Sequence, residues 1–380
     1  ISFPDLLKRI SDIYQHDNQK VLQNAAEIRQ YFEKSETVQV LNELPAARLA
    51  LDNFYRYLEK AFDHTYGGFT AAPKFPHVSD MEFLLNYYHH TGEQDAREMV
   101  LFTLKKMASG GIYDQIGGGF HRYSTDEKWL VPHFEKMLYD NALLIGLYAN
   151  AFRLTGDEFY GQIARETADF VLRELTDPAG GFYSSLDADS EGQEGKFYLW
   201  SHGEINTALE EDLSDLFCRF YDITPVGNFE GENILHIDRS LETLVHDESE
   251  EINEIRDRLQ DSRQKLLQIR NNRIRPALDT KILADWNGMM ISALWEVYQI
   301  TGNLLYQEAA EKVITFLLKN FIAVDGALFH ALKNSQNQIR GYIDDHAFFI
   351  QALLDSFEIT QQPDYLQHAI QLMENALLHF

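Results

Sequence analysis

Four stretches of this sequence gather side chains able to move protons or grip a polar ligand. The first runs from Gly110 to Asn141 and holds Asp114, His121, Arg122, Tyr123, Trp129, His133, Lys136 and Asp140. Histidine titrates near neutrality, so it serves as base or as acid. Read as a helix, His133, Lys136 and Asp140 stand at i, i+3 and i+7 and share one face. They either satisfy one another and cap the helix or contact a ligand. The glycines of this stretch are no phosphate fingerprint, because no strand precedes them.

The second stretch is an acidic loop with Asp187, Asp189 and Glu191 before Gly192. It begins like a calcium loop, but Tyr198 occupies the twelfth position, where an EF-hand needs Glu. It is left as a solvated loop, a carboxylate pair for acid–base work on a sugar, or an irregular metal site. The third stretch holds Arg275, Asp279, Lys281, Asp285, Trp286 and Asn287, and the fourth Asp344, Asp345 and His346. Asp344 reads as a natural N-cap. His346 reads as a satisfied core histidine or as a catalyst. There is no HExxH, no Cys/His metal spacing and no G-x-S-x-G elbow, so no metal and no cofactor is expected.

The elements that must position these residues recur. Gly-Gly-aromatic loops (Gly67-Gly68-Phe69, Gly118-Gly119-Phe120, Gly180-Gly181-Phe182, and a weaker Gly326 to Phe329) each precede an apolar helix. A tight turn follows at Thr91-Gly92, Thr155-Gly156, Thr301-Gly302 and, in degenerate form, Thr360. Residues 132–154, 282–300 and 345–359 are largely apolar all round and predict covered helices. Residues 158–175, 303–320 and 364–378 carry one apolar stripe and predict surface helices. Inner and outer helices in alternation predict an all-α (α/α)6 toroid, with room for a ring incomplete at its C-terminal end. Its inner N-termini would gather the polar stretches around one mouth. Residues 194–274 break the rhythm, with a short strand at Phe197–Trp200 and a charged helix over 247–271. Residues 1–35 predict two amphipathic helices starting near Ser2.

The net charge is −26, and no Lys/Arg cluster opposes it, so nucleic acid and anionic membranes are excluded as partners. No apolar run approaches the ~18 residues of a membrane span. The lone Cys218 closes no internal disulfide, and a cytoplasmic protein is expected.

Several of these segments together resemble one family. They are Gly67-Gly68-Phe69 with Ala72 to Pro76, Gly110 to Asp114, Gly119 to Tyr123, Val131 to Asn141, Leu186 to Gly192, and Trp286-Asn287-Gly288. The family is the thioredoxin-domain-containing one that includes spermatogenesis-associated proteins, and the resemblance covers about residues 45 to 380. It implies a thioredoxin-like domain followed by a six-hairpin toroid similar to those of N-acylglucosamine 2-epimerases and six-hairpin glycosidases. Residues 1–44 then read as a helical linker at the tail of that domain, and 45–380 as the toroid.

The expected function is carbohydrate-active, of sugar epimerase or isomerase type. His133 and His346 are the acid–base pair, with His121 in reserve. Arg122 or Lys136 would polarise the carbonyl, and Trp129, Tyr123 and Trp286 would stack on the ring. A glycosidase using carboxylates from Asp114, Asp189, Glu191, Asp285 and Asp344 is the alternative. Asp140 and Asn287 complete the expected sugar contacts. A third reading is a non-catalytic module coupled to the thioredoxin-like domain.

Overall fold

The computed structural model describes residues 2–36, 47–239, 241, 243–244, 251–332 and 339–380. It divides into two units, residues 1–54 and 55–380. The expected 44/45 boundary lies outside the described residues. The first unit contains α1 (Phe3–His16) and α2 (Asn18–Glu36), and α3 (Ala47–Ala61) runs across the division. Ser2 caps α1 by accepting from the Asp5 amide.

The second unit is built of hairpins. The first is α4 (Val78–Thr91) with α5 (Gln94–Ser109), and the second α6 (Leu138–Thr155) with α7 (Glu158–Glu174). An insertion then carries α8 (His202–Ala208), α9 (Glu211–Phe220) and α10 (Ile252–Arg270). The third hairpin is α11 (Ala284–Thr301) with α12 (Leu304–Asn320), and the fourth α13 (Ile343–Thr360) with α14 (Pro363–His379). The first helices pack in succession, α4 on α6, α6 on α11, and α11 on α13. The fold is all-α and of (α/α) toroid type, with four hairpins among the described residues.

The Thr-Gly turns work by one mechanism. Thr155 Oγ1 donates to the Ala151 carbonyl and accepts from the Asp157 amide, while Gly156 takes a left-handed φ of 69°. Thr301 and Gly302 repeat this. In the fourth hairpin Gln361 adopts the same left-handed turn at φ 57°, which a non-glycine residue tolerates at a cost. The inner helices pack closely: a Cβ on Gly288 would lie 2.7 Å from the Phe348 carbonyl carbon.

At the opposite end, short strands feed the inner helices. They are β1 (Tyr123–Ser124), β2 (Pro132–His133), β3 (Lys136–Met137), β4 (Ser185–Leu186), β5 (Asp189–Ser190), β6 (Gln193–Glu194), β7 (Leu278–Asp279), β8 (Ile282–Leu283) and β9 (Ala331–Leu332). β1 pairs with β2, β4 lies between β3 and β7, β5 pairs with β6, and β8 with β9. This corrects the helix expected over 132–137. His133 and Lys136 lie in paired extended segments, so helical spacing never applies, and α6 begins only at Leu138. The strand expected at Phe197–Trp200 is a turn, with a single bridge from Trp200 to Asn233. The insertion packs its own small core around Trp200, Ile205, Phe217 and Leu259.

Candidate functional site

One continuous strip of polar and aromatic side chains follows the N-terminal ends of α6, α11 and α13. It starts with a cross-strand ladder. Lys74 bridges to Ser124 and Tyr123 pairs with His133, which aligns Phe75, Tyr123 and His133 side by side. Their ring centroids are 4.7 and 5.0 Å apart, and both pairs are stacked. His133 Nδ1 lies 2.7 Å from Glu194 Oε1, delivered by β6, and its Nε2 lies 3.7 Å from Glu135. Glu135 pairs with Arg122 at 3.0 Å. Tyr139, near enough to Arg122 to interact with its charge, leans its ring on Trp286 at 4.8 Å.

Beyond Trp286 lies a second imidazole. His330 Nδ1 sits 3.0 Å from each carboxylate oxygen of Asp345, whose side chain is 1% exposed. Asp345 also accepts from the Tyr342 amide at 2.7 Å and the Asp285 amide at 3.2 Å. A carboxylate so placed fixes the imidazole tautomer and leaves Nε2 for proton exchange. Burial, and then the nearby Asp345, push the Asp285 carboxyl up to about 6. Burial pushes Asp140 up to about 7 against the opposing charge of Arg122. Asp285, His330 and Asp345 are also the group of described residues that could hold a metal ion, with ligand atoms within 4.8 Å of one another. They come from three separate segments, the first turns of α11 and α13 and the stretch before β9, so no sequence spacing announces them.

A second charged cluster is closed off from solvent. Arg270, from the insertion, grips Asp114 through two hydrogen bonds of 2.8 Å. Lys136 Nζ donates to Asp114 and to the Gly118 carbonyl at 2.9 Å, between the rings of Phe170 and Tyr198. Burial raises the Asp114 carboxyl, but Arg270 and Lys136 outweigh it and hold it well below the usual range. Burial lowers Lys136 to about 8 despite Asp114.

No family model matches the sequence. The chain is 35% identical to human Spermatogenesis-associated protein 20, over 98% of its own length and 53% of that protein's. It spans about half the length of the curated relatives it matches along its whole length. Over 101 residues, 26% of each chain, it is 30% identical to the cellobiose 2-epimerase of Bacteroides fragilis. Among solved structures, the unsaturated glucuronyl hydrolase of Bacillus sp. GL1 aligns with 86% of this chain and 66% of its own, at 12% identity and a TM-score of 0.49.

The strip brings together Arg122, Tyr123, His133, Asp140, Asp285 and Trp286 of the residues expected from sequence. Others stand elsewhere. Asp114 and Lys136 are in the buried ion cluster. His121 is buried with Nδ1 on the Phe134 carbonyl, and burial holds it well below the usual imidazole range, hence neutral. Trp129 is fully buried and donates its indole N–H to the Tyr66 carbonyl, so it offers no free face. Asn287 is fully buried and spends its amide on the backbone of Phe182 and Leu283. His346 is buried, with Nδ1 2.9 Å from the Tyr342 carbonyl and its ring against Phe380. Asp189 and Glu191 are exposed on the β5–β6 hairpin, where Glu191 pairs with Lys196. Asp344 is exposed in the first turn of α13. The N-cap there is Tyr342, and Asp345 completes the capping box.

Sequence reasoning missed His330, Glu194 and Tyr139, and it placed Asp345 in the fourth stretch without giving it a role. One signal could have found His330. It follows the aromatic residue of the fourth Gly-loop, as His121 follows Phe120 and Tyr183 follows Phe182.

Proposed function

We propose that the strip is a carbohydrate site of epimerase or isomerase type, with His330 and His133 as its acid–base pair. The observation that carries this reading is His330 held through Nδ1 by the buried Asp345. Such chemistry takes a proton from a carbon beside a carbonyl and returns it on the other face. His133, held by Glu194, supplies the second proton carrier. Arg122 would polarise the carbonyl, and Trp286 with Tyr139 would carry the apolar face of the ring. The local likeness to a cellobiose 2-epimerase supports a sugar as substrate. Hydrolysis by paired carboxylates fits less well, because Asp345 is committed to His330 and two backbone amides. Proton transfer of this kind calls for no cofactor. The thioredoxin-like domain stays our proposed partner module in the full protein, and the cytoplasm its proposed location.

The test is incubation with cellobiose and with N-acetylglucosamine in D2O, followed by NMR. Deuterium at C2 with signals of the second epimer is the expected result, lost in His330→Asn. Cleavage without exchange at C2 would transfer the site to the hydrolase reading. Neither exchange nor cleavage would reject a carbohydrate-converting site.

A further inference from the structure

Charge along the strip constrains what it accepts. Glu135, Asp140, Glu194, Asp285 and Asp345 all line it or support it, and Arg122 is already paired with Glu135. A ligand carboxylate or phosphate would meet these carboxylates in a half-buried setting, where charges are weakly screened. Two polar atoms along the strip are unmet, Arg122 Nε and Asp140 Oδ2, and the carboxylates outnumber the single guanidinium. Asp140 Oδ2 is buried and makes no hydrogen bond to the protein. A buried acceptor without a partner is costly, and a ligand hydroxyl would satisfy it.

The strip also carries two aromatic ledges. Tyr139 and Trp286 make one. Phe75, stacked on Tyr123, which is stacked in turn on His133, makes the other: Tyr123 is covered on both faces and supports Phe75, the outer ring, which is 40% exposed. Between them run the contacts His133–Glu135 and Glu135–Arg122, with Tyr139 within electrostatic reach of Arg122. A single sugar ring covers one ledge. Two linked rings would use both, with their hydroxyl edges toward the carboxylates and their apolar faces on the rings.

We infer that the site takes an uncharged oligosaccharide end, two rings long or more, and rejects uronates and sugar phosphates. This rests on the carbohydrate reading above. The experiment is calorimetric titration of the whole chain with cellobiose, glucose, cellobiouronic acid and glucose 6-phosphate. Cellobiose should bind at least tenfold more tightly than glucose and than either anion. In Phe75→Ala the cellobiose-to-glucose ratio should fall toward one, and Tyr123→Leu should give the same loss if the first variant folds poorly. Anions binding as tightly as cellobiose, or a ratio unmoved in both folded variants, would overturn this inference while leaving the carbohydrate reading intact. Binding by none of the four would overturn both.

Discussion

Asn287 reaches back along the chain to clamp Phe182: its Oδ1 accepts from the Phe182 amide at 2.7 Å, and its Nδ2 donates to the Phe182 carbonyl at 3.0 Å. Asn141 holds Phe120 in the same way, at 2.7 and 3.1 Å. Each clamp pins a Gly-loop to the first turn of an inner helix, which sets where the strip's side chains begin. Replacing either Asn with Ala strands a buried amide and carbonyls, at about 1–3 kcal/mol per unmet group. Asn287→Ala and Asn141→Ala should each lower the urea midpoint clearly. Equal midpoints for variant and wild type would refute the clamp.

His330→Asn should keep the fold and cost about 10²–10⁴ in the exchange rate, the usual worth of one positioned acid–base group. Asp345→Asn should cost activity and stability together, since Asp345 also closes the α13 capping box. Single-turnover exchange and thermal melting on both variants separate the two effects.

Asp140 makes stability depend on pH with a definite sign. Its folded pKa, raised to about 7, lies above its unfolded value near 3.8. The folded state therefore binds the proton more tightly, and that contribution is full below the unfolded pKa and lost as pH rises through about 7. Asp140→Asn should gain relative to wild type between pH 5 and pH 8, by at most about 3 kcal/mol. Urea titrations at the two pH values give the difference, and a gain at pH 5 that vanishes at pH 8 would reverse the assignment.

The Asp114 cluster joins the insertion to the toroid. Arg270→Ala leaves a buried carboxylate with Lys136 alone, and breaking such a pair costs about 3–5 kcal/mol. Replacing Asp114 and Arg270 together with apolar residues should cost less than Arg270→Ala. Chemical denaturation of both variants checks the order.

Local patterns were legible because they depend on near neighbours. Thr155-Gly156 and Thr301-Gly302 announce a turn whose hydrogen bonds all lie within four residues. The apolar run after Met137 and the stripe from Tyr160 to Val171 announce inner and outer helices. Lys136 misled for the opposite reason. Its neighbours in sequence read as a helix, but β3 pairs with β4, and that pairing turns the ammonium inward.

The sequence alone determined the repeat, the helix pairs, the acidic balance and the place of the polar loops, since each follows from local periodicity and composition. Only the tertiary structure decided which loops meet. His330, Asp345 and Asp285 come from three separate segments, and nothing in their spacing sets them beside one another. Glu194 reaches His133 only because the β5–β6 hairpin folds back over β2. A proton site depends on distances of a few ångströms, and packing of the inner helices sets those distances.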